Sequence, residues 1–296
     1  MKKVYFSVII FSCLIFALTG CKKKASGEVV LITDIGTVED GSFNQACYEG
    51  ISDYCTAHGV PYTYYQPGDT DEESYNRMIK KAVKNRAKVI ICPGNLLEQS
   101  VYDLQKKYSR VKFILVDGEP HNEDYTDMSI ADNVLSLHFA EAEAGFLAGY
   151  SAVRDGYTKL GFMGGQMEDS IIRFGYGFCQ GADYAAVEMG NKIEIEYCYT
   201  GTYLADPNVE SLADNWYQSG TQVIFACGGE MGKSVMASAD ENDGKVIGVD
   251  VDQSGMSHSV ITSAKKMIAN AIVTVRKTIL STVRSLCTPS NISGNM

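Results

Sequence analysis

Apolar runs of strand length alternate with longer stretches whose apolar positions recur every three or four residues, and this two-period pattern extends over most of the chain. The short runs, rich in β-branched and aromatic residues, predict strands, and the longer ones predict amphipathic helices. In the first half, strands are expected at Val29–Thr33, Tyr62–Tyr65, Lys88–Cys92 and Lys112–Val116, with helices at Phe43–His58, Ser74–Lys84 and Leu97–Tyr108. A long helix is expected over Leu135–Val153, and its small residues between Glu141 and Gly149 permit close backbone approach. A second series follows: strand Lys159–Met163, helix Ile172–Met189, strand Ile193–Tyr199, helix Val209–Ser219, strand Val223–Ala226, helix Gly232–Ala239 and strand Lys245–Val249. A short strand at Val260–Thr262 and a last helix from Ala264 to Val283 precede a polar tail, Ser285–Met296. Strands alternating with helices make βαβ units and parallel sheets. The series occurs twice, which predicts an α/β protein of two lobes whose ligand binds in the cleft outside the carboxyl ends of the strands.

The amino terminus departs from this pattern. Lys2 and Lys3 precede an apolar stretch, Val4–Leu18, of signal-peptide length and short for a membrane span. It ends in Leu18-Thr19-Gly20-Cys21, which reads as a lipoprotein export signal with Cys21 as the acylated residue; several chains on one cysteine give stable anchoring. The expected organisation is a signal peptide at 1–20, a tether at 21–27, one lobe at 28–134, a second at 135–263, and at 264–296 a helix returning toward the first lobe plus an irregular tail. The protein is expected outside the cytoplasm, lipid-anchored to the cell membrane. An uncleaved anchor and a cleaved signal with a coincidental cysteine are the alternatives.

Composition narrows the function. The net charge of −10 becomes −12 once Lys2 and Lys3 are removed, so nucleic acid is not an expected partner. Beyond Cys13 and Cys21 the remaining cysteines are scattered singly in apolar or small-residue surroundings and read as small buried hydrophobes, with no C-x-x-C pair for zinc or redox chemistry. His58, His121, His138 and His258 lie far apart, without metal-ligand spacing. The segment Cys227-Gly228-Gly229-Glu230-Met231-Gly232-Lys233-Ser234 has cysteine where a P-loop needs its first glycine, and reads instead as a glycine turn whose amides face the cleft. Asp250-Val251-Asp252 opens like a calcium loop, but Ile261 occupies the required glutamate position. No hydrolase motif appears, so neither an enzyme nor a cofactor is expected.

The informative cluster follows the first strand. Asp34 closes the strand, and the loop after it delivers Phe43 and Asn44 at a helix start. An aromatic ring beside an amide suits a flat heterocycle, which the ring can stack on and the amide can hydrogen-bond. The competing reading is that Ser42 caps the helix and Phe43 belongs to the core. Asp117 and Asp250 each end a strand, where a carboxylate can bind hydroxyls bidentately or serve a turn.

The segment from Leu31-Ile32-Thr33-Asp34 through Ser42-Phe43-Asn44-Gln45 resembles the opening of the basic membrane protein family of substrate-binding lipoproteins, which includes purine nucleoside receptors of spirochaetes. Further matches are Ala144–Tyr150, Leu160–Gly165, Gly201–Pro207 and Ile247–Gln253. The resemblance implies a periplasmic-binding-protein fold of the first type. It also implies that the chain stops short of the family's usual C-terminal portion. Carried over by position, Phe43 and Tyr203 would stack on the two faces of a base, with Asn44 and Asp117 on its edge. Asp250, the Gly228-Gly229 backbone and Lys266 would hold the ribose, and Asp34 would support the first loop. Tyr203 stands where the family often has phenylalanine, so its hydroxyl needs a partner. In Met167-Glu168-Asp169-Ser170 the family commonly has a proline. The expected function is capture of a nucleoside, most plainly a purine nucleoside, by a monomer that passes it to an ABC-type permease. A sugar or autoinducer receptor of the same fold, a surface antigen or adhesin, and a nucleoside hydrolase are the rival readings.

Overall fold

The computed structural model describes residues 27–275, so Cys21, the signal segment, most of the tether and the polar tail lie outside the described residues. The first half forms β1 (Val29–Ile32), α1 (Phe43–His58), β2 (Tyr62–Tyr65), α2 (Glu72–Lys84), β3 (Val89–Pro93), α3 (Glu98–Gln105), β4 (Lys112–Val116) and β5 (Val134–Leu137). The second half forms α4 (Glu141–Arg154), β6 (Lys159–Gly164), α5 (Asp169–Met189), β7 (Glu194–Tyr199), α6 (Pro207–Ser219), β8 (Val223–Cys227), α7 (Met231–Glu241), β9 (Lys245–Asp250) and β10 (Val260–Lys265). A further helix, α8, starts at 268 and continues through 275.

Each lobe holds one five-stranded parallel sheet. The orders β2-β1-β3-β4-β5 and β7-β6-β8-β9-β10 are the same topology used twice. Alternation along the strands sends Val30, Ile32, Ile90, Phe113 and Leu115 into one layer of the first lobe, and Val29, Leu31, Ile91, Ile114 and Val116 into the other. Both faces are covered by helices, which explains why the strands read as nearly continuous apolar runs. The second sheet packs Leu160, Phe162, Phe225 and Ile247 on one side and Met163, Ile224, Ala226 and Val246 on the other.

Local chemistry sets several helix starts. Asp71 caps α2 by accepting from the Ser74 amide at 2.6 Å. Asp206 caps α6 in the same way through the Asn208 amide, with Pro207 supplying a fixed φ at the first helical position. Two expectations need correction. Val134–Leu137 is not the start of a long helix but the edge strand of the first sheet, paired in parallel with β4; the helix begins only at Glu141. Likewise Ala264 and Lys265 extend β10 instead of opening the last helix, because β10 pairs with β9 out to Lys265 beside Asp250. Ile268 and Ile272 of α8 then pack fully buried into the first lobe, returning the chain to it.

The helices α4 and α5 are joined with unusual intimacy. Gly145 and Gly149 face the Phe174 and Phe178 carbonyls, while Gly177 and Gly181 face those of Ala142 and Phe146, so that a Cβ at any of the four would overlap a backbone carbonyl oxygen. Among the described residues no helix is long and apolar enough to cross a membrane.

Candidate functional site

The carboxyl ends of β1, β3 and β4 in the first lobe face those of β8 and β9 in the second, and between them lies a cleft of about 550 Å³, its mouth included. All nine expected binding residues line it: Asp34, Phe43, Asn44, Asp117, Tyr203, Gly228, Gly229, Asp250 and Lys266. The cleft also contains residues not anticipated from the sequence, chiefly Asp40, Asn95, Glu168, Phe174 and Glu230.

The first loop is held by a network of carboxylates and amides. Asp34 Oδ1 accepts from the Gly36 amide at 2.5 Å and from Asn44 Nδ2 at 2.7 Å, while Asn44 Oδ1 accepts from the Asp34 amide at 3.1 Å. Gly36 is required here, since a Cβ would come within 2.8 Å of Asn44 Nδ2. The α1 cap is not Ser42. Asp40 accepts from the amides of Ser42, Asn44 and Gln45 at 2.8–3.0 Å and from Asn44 Nδ2 at 2.9 Å, covering the unsatisfied donors of the helix start. The Ser42 hydroxyl is thereby released to donate across the cleft to Asp250 Oδ2 at 2.6 Å. Phe43 is half-buried, packing partly on the first core and partly exposed to the cleft. It thus combines the two roles that the sequence left open.

Asp117 and Asp250 occupy equivalent places, the ends of β4 and β9, and both adopt left-handed backbone conformations, φ 58° and 65°. Such a conformation costs a non-glycine residue on the order of 1 kcal/mol or more, least for Asp and Asn, and here it turns each carboxylate into the cleft. Lys266 lies between the lobes. Its ammonium pairs with Asp117 and approaches Glu141 Oε1 at 3.3 Å, and it sits 5.1 Å from the ring centre of Phe174 and 5.5 Å from that of Phe43. Burial would lower the pKa of this amine, but the charges of Asp117, Asp250 and Glu141 outweigh it and hold the pKa above its ordinary value.

The opposite wall is built around Tyr203. Glycine at Gly165 makes room for its ring, and Gly229 turns with φ 61° beneath its backbone, letting the Met231 amide donate to the Tyr203 carbonyl at 3.1 Å. Asp117 Oδ1 is buried without a hydrogen-bond partner in the protein, and the buried Tyr203 hydroxyl interacts with the Glu168 carboxyl without a well-formed hydrogen bond. Buried polar atoms are ordinarily satisfied, so Asp117 Oδ1 is a candidate for a bond to a ligand. Burial raises the Asp34 carboxyl to about 6 against the bonds from Gly36 and Asn44. It raises Glu168 to about 7 even though Ser170 Oγ donates to it at 3.1 Å.

Chemically the cleft offers aromatic faces from both lobes, an excess of carboxylates over one buried ammonium, and backbone amides at a glycine turn. Such a site suits an uncharged ligand that combines a flat ring with hydroxyl and N–H donors, and disfavours anions. Asp40, Asn95, Glu168 and Glu230 were missed because they lie in loops or at helix starts without motif spacing, and Phe174 because an aromatic in an amphipathic helix reads as core. The repeated topology was the available signal, since Glu168 and Ser170 follow β6 as the Asp34–Asn44 loop follows β1.

A family model described as ABC transporter substrate-binding protein, PnrA-like, matches residues 28–287. The chain is 30% identical over 248 residues to the ABC transporter nucleoside-binding protein BmpA of Lactococcus lactis subsp. cremoris, covering 79% of this chain and 67% of that one. It is 29% identical to basic membrane protein D of Borreliella burgdorferi, with coverage of 95% and 80%. It is also 30% identical to a CD4+ T-cell-stimulating antigen of Listeria innocua, covering 86% and 74%. Among solved structures, an ABC transporter solute-binding protein from Aeropyrum pernix K1 superposes with a TM-score of 0.74 at 22% identity, over 86% of this chain and 70% of that one. A Caulobacter myo-inositol binding protein gives 0.65 at 16%, with 90% of each covered, which places the fold among periplasmic binding proteins of the first type. The chain belongs to the PnrA-like family of ABC transporter substrate-binding proteins.

Proposed function

We propose that this protein is a nucleoside receptor, selective for purine nucleosides, that is tethered through lipid on Cys21 and delivers its ligand as a monomer to an ABC-type permease. The observation that carries the reading is the pairing of Phe43 and Tyr203 on opposite walls of a cleft where Asp117 Oδ1 is buried without a partner. The nucleoside-binding relative at 30% identity supports the same ligand class. In this reading the base stacks between the two rings with Asp117 on its edge, and the ribose hydroxyls meet Asp250, the Gly228-Gly229 amides and Lys266.

The Asn44 amide, already bonded to Asp34 and Asp40, acts chiefly by fixing the loop that presents Phe43. Closure is supported by contacts that span the lobes: Ser42 to Asp250, Gln253 Nε2 to the Gly41 carbonyl at 2.9 Å, and Lys266 to Asp117. A ligand touching both walls favours the closed form by its differential affinity for it. No step of covalent chemistry is assigned. Calorimetric titration with adenosine, guanosine and ribose tests the assignment: a purine nucleoside should bind at least a hundredfold more tightly than ribose, and equal or tighter binding of ribose refutes it.

A further inference from the structure

Beside the ligand cleft lies a second chamber of about 1160 Å³, its mouth included, that the nucleoside reading leaves without a role. The two spaces share Asn95, Asp117 and Glu168 as a common wall. Asp250 and the glycine turn line only the first. The second chamber therefore adjoins the Asp117 end of the cleft, which carries the base edge in the proposed orientation.

Its first-lobe wall is built in detail. Glu98 accepts from the Glu119 amide at 2.9 Å and faces His121 Nε2 at 3.1 Å, while His121 Nδ1 lies 2.7 Å from the Asn122 carbonyl and the imidazole stacks on Tyr125 at 3.7 Å. Gly118 is needed for this arrangement, since a Cβ there would meet Glu98 Oε1 at 2.7 Å. The positive group of the chamber, Arg173, is already bonded to Glu141 through Nε at 2.7 Å. Among the described residues Asp169 makes no ion pair, which leaves the chamber one unspent negative charge. The flexible side chains of Met128 and Met167 line it as well, and their thioethers adapt to varied shapes.

We propose that this chamber is a subsite for a neutral or cationic polar substituent on the base edge, so that the receptor takes nucleosides enlarged at the exocyclic nitrogen as well as unmodified ones. The inference rests on the nucleoside reading and on its orientation of the base toward Asp117. An anionic substituent is disfavoured by Asp169.

The test is calorimetry on the mature protein with adenosine and guanosine, followed by the exocyclic-N-(6-aminohexyl) derivative of whichever binds more tightly and its carboxylate-tipped counterpart. The amine derivative should bind within tenfold of its parent, and the carboxylate at least tenfold more weakly than the amine. The double substitution Met128→Trp and Met167→Trp, checked for folding by circular dichroism, should weaken the amine derivative at least tenfold and shift the parent less than twofold. An amine derivative more than tenfold weaker than its parent in the unsubstituted protein overturns the subsite while leaving the nucleoside reading intact. Equal weakening of derivative and parent in the double variant, or equal affinity for the amine and carboxylate tips, also overturns it. Failure of both parents to bind removes the nucleoside reading and the subsite together.

Discussion

Replacing Glu168 by glutamine should make the protein more stable at alkaline pH, and the effect can be sized from the site. The Glu168 carboxyl sits in the cleft wall, where burial raises it from an ordinary 4.5 to about 7, and the Ser170 and Tyr203 hydroxyls and the Lys266 charge do not compensate. At about 1.36 kcal/mol per pH unit, the ionised form is disfavoured in the folded state by about 3 kcal/mol. The folded pKa is raised, so the folded protein holds this proton longer than the unfolded chain does. The associated stability is complete below pH 4.5 and is lost as pH rises through 7. Glutamine cannot ionise, so Glu168→Gln removes that loss while its amide oxygen can still accept from Ser170. Urea unfolding at pH 4.5, 6 and 8 should show the variant gaining on the parent with pH, with the difference approaching about 3 kcal/mol at pH 8. Asp34, raised to about 6 by its own burial, gives both proteins a common slope of the same sign and drops out of the difference. A difference that stays constant across these pH values, or that shrinks toward pH 8, refutes the argument that burial controls this carboxyl.

Three further outcomes follow from the same geometry. Lys266→Met should destabilise the protein by about 3–5 kcal/mol in urea melts, because Asp117, Glu141 and Asp250 lose their shared cation in a buried place; a loss under 1 kcal/mol would mean water already compensates these charges. Phe43→Ala should keep a cooperative melt with a modest loss of stability, because the ring packs partly on the first core, and weaken the tightest-binding nucleoside by about 2–3 kcal/mol, about 30- to 150-fold by calorimetry, since it deletes one stacking face and its buried area; unchanged affinity removes Phe43 from the site. Gly181→Ala should cost about 1–3 kcal/mol, because the added methyl overlaps the Phe146 carbonyl, and a neutral result in the same melts would show that α4 and α5 can separate freely.

Much of the architecture was legible because parallel strands buried on both faces leave a continuous apolar imprint. The helix Phe43–His58 and the strands Tyr62–Tyr65 and Lys112–Val116 fall where the pattern predicts them. Val134–Leu137 was not legible: an edge strand abutting a helical pattern has no periodicity long enough to separate it from that helix. All nine binding candidates do line the cleft: strand ends, the first loop and the glycine turn mark seven of them, whereas Tyr203 and Lys266 came only from the family resemblance. Long-range pairing has none. That Asp40 takes over the α1 cap and frees Ser42 for Asp250, 208 positions away, depends on how the lobes meet. The same holds for Lys266, whose three carboxylates come from strand ends and a crossover that only the fold brings together.

The glycine contacts between α4 and α5 bear on how the molecule can move. The first turn of α4 carries Glu141, just after the crossover from the first lobe, and the first turns of α5 carry Ser170, Ile171 and Phe174 on the ligand wall. With carbonyls seated against glycines at four places, the two helices cannot slide past one another without backbone collision. Torque applied at the crossover therefore reaches the ligand wall without slack. Any opening has to be absorbed in the short segments that join the lobes, 138–140 and 266–267, which would make the second lobe a lever with its fulcrum at Lys266 and its load arm at Glu168.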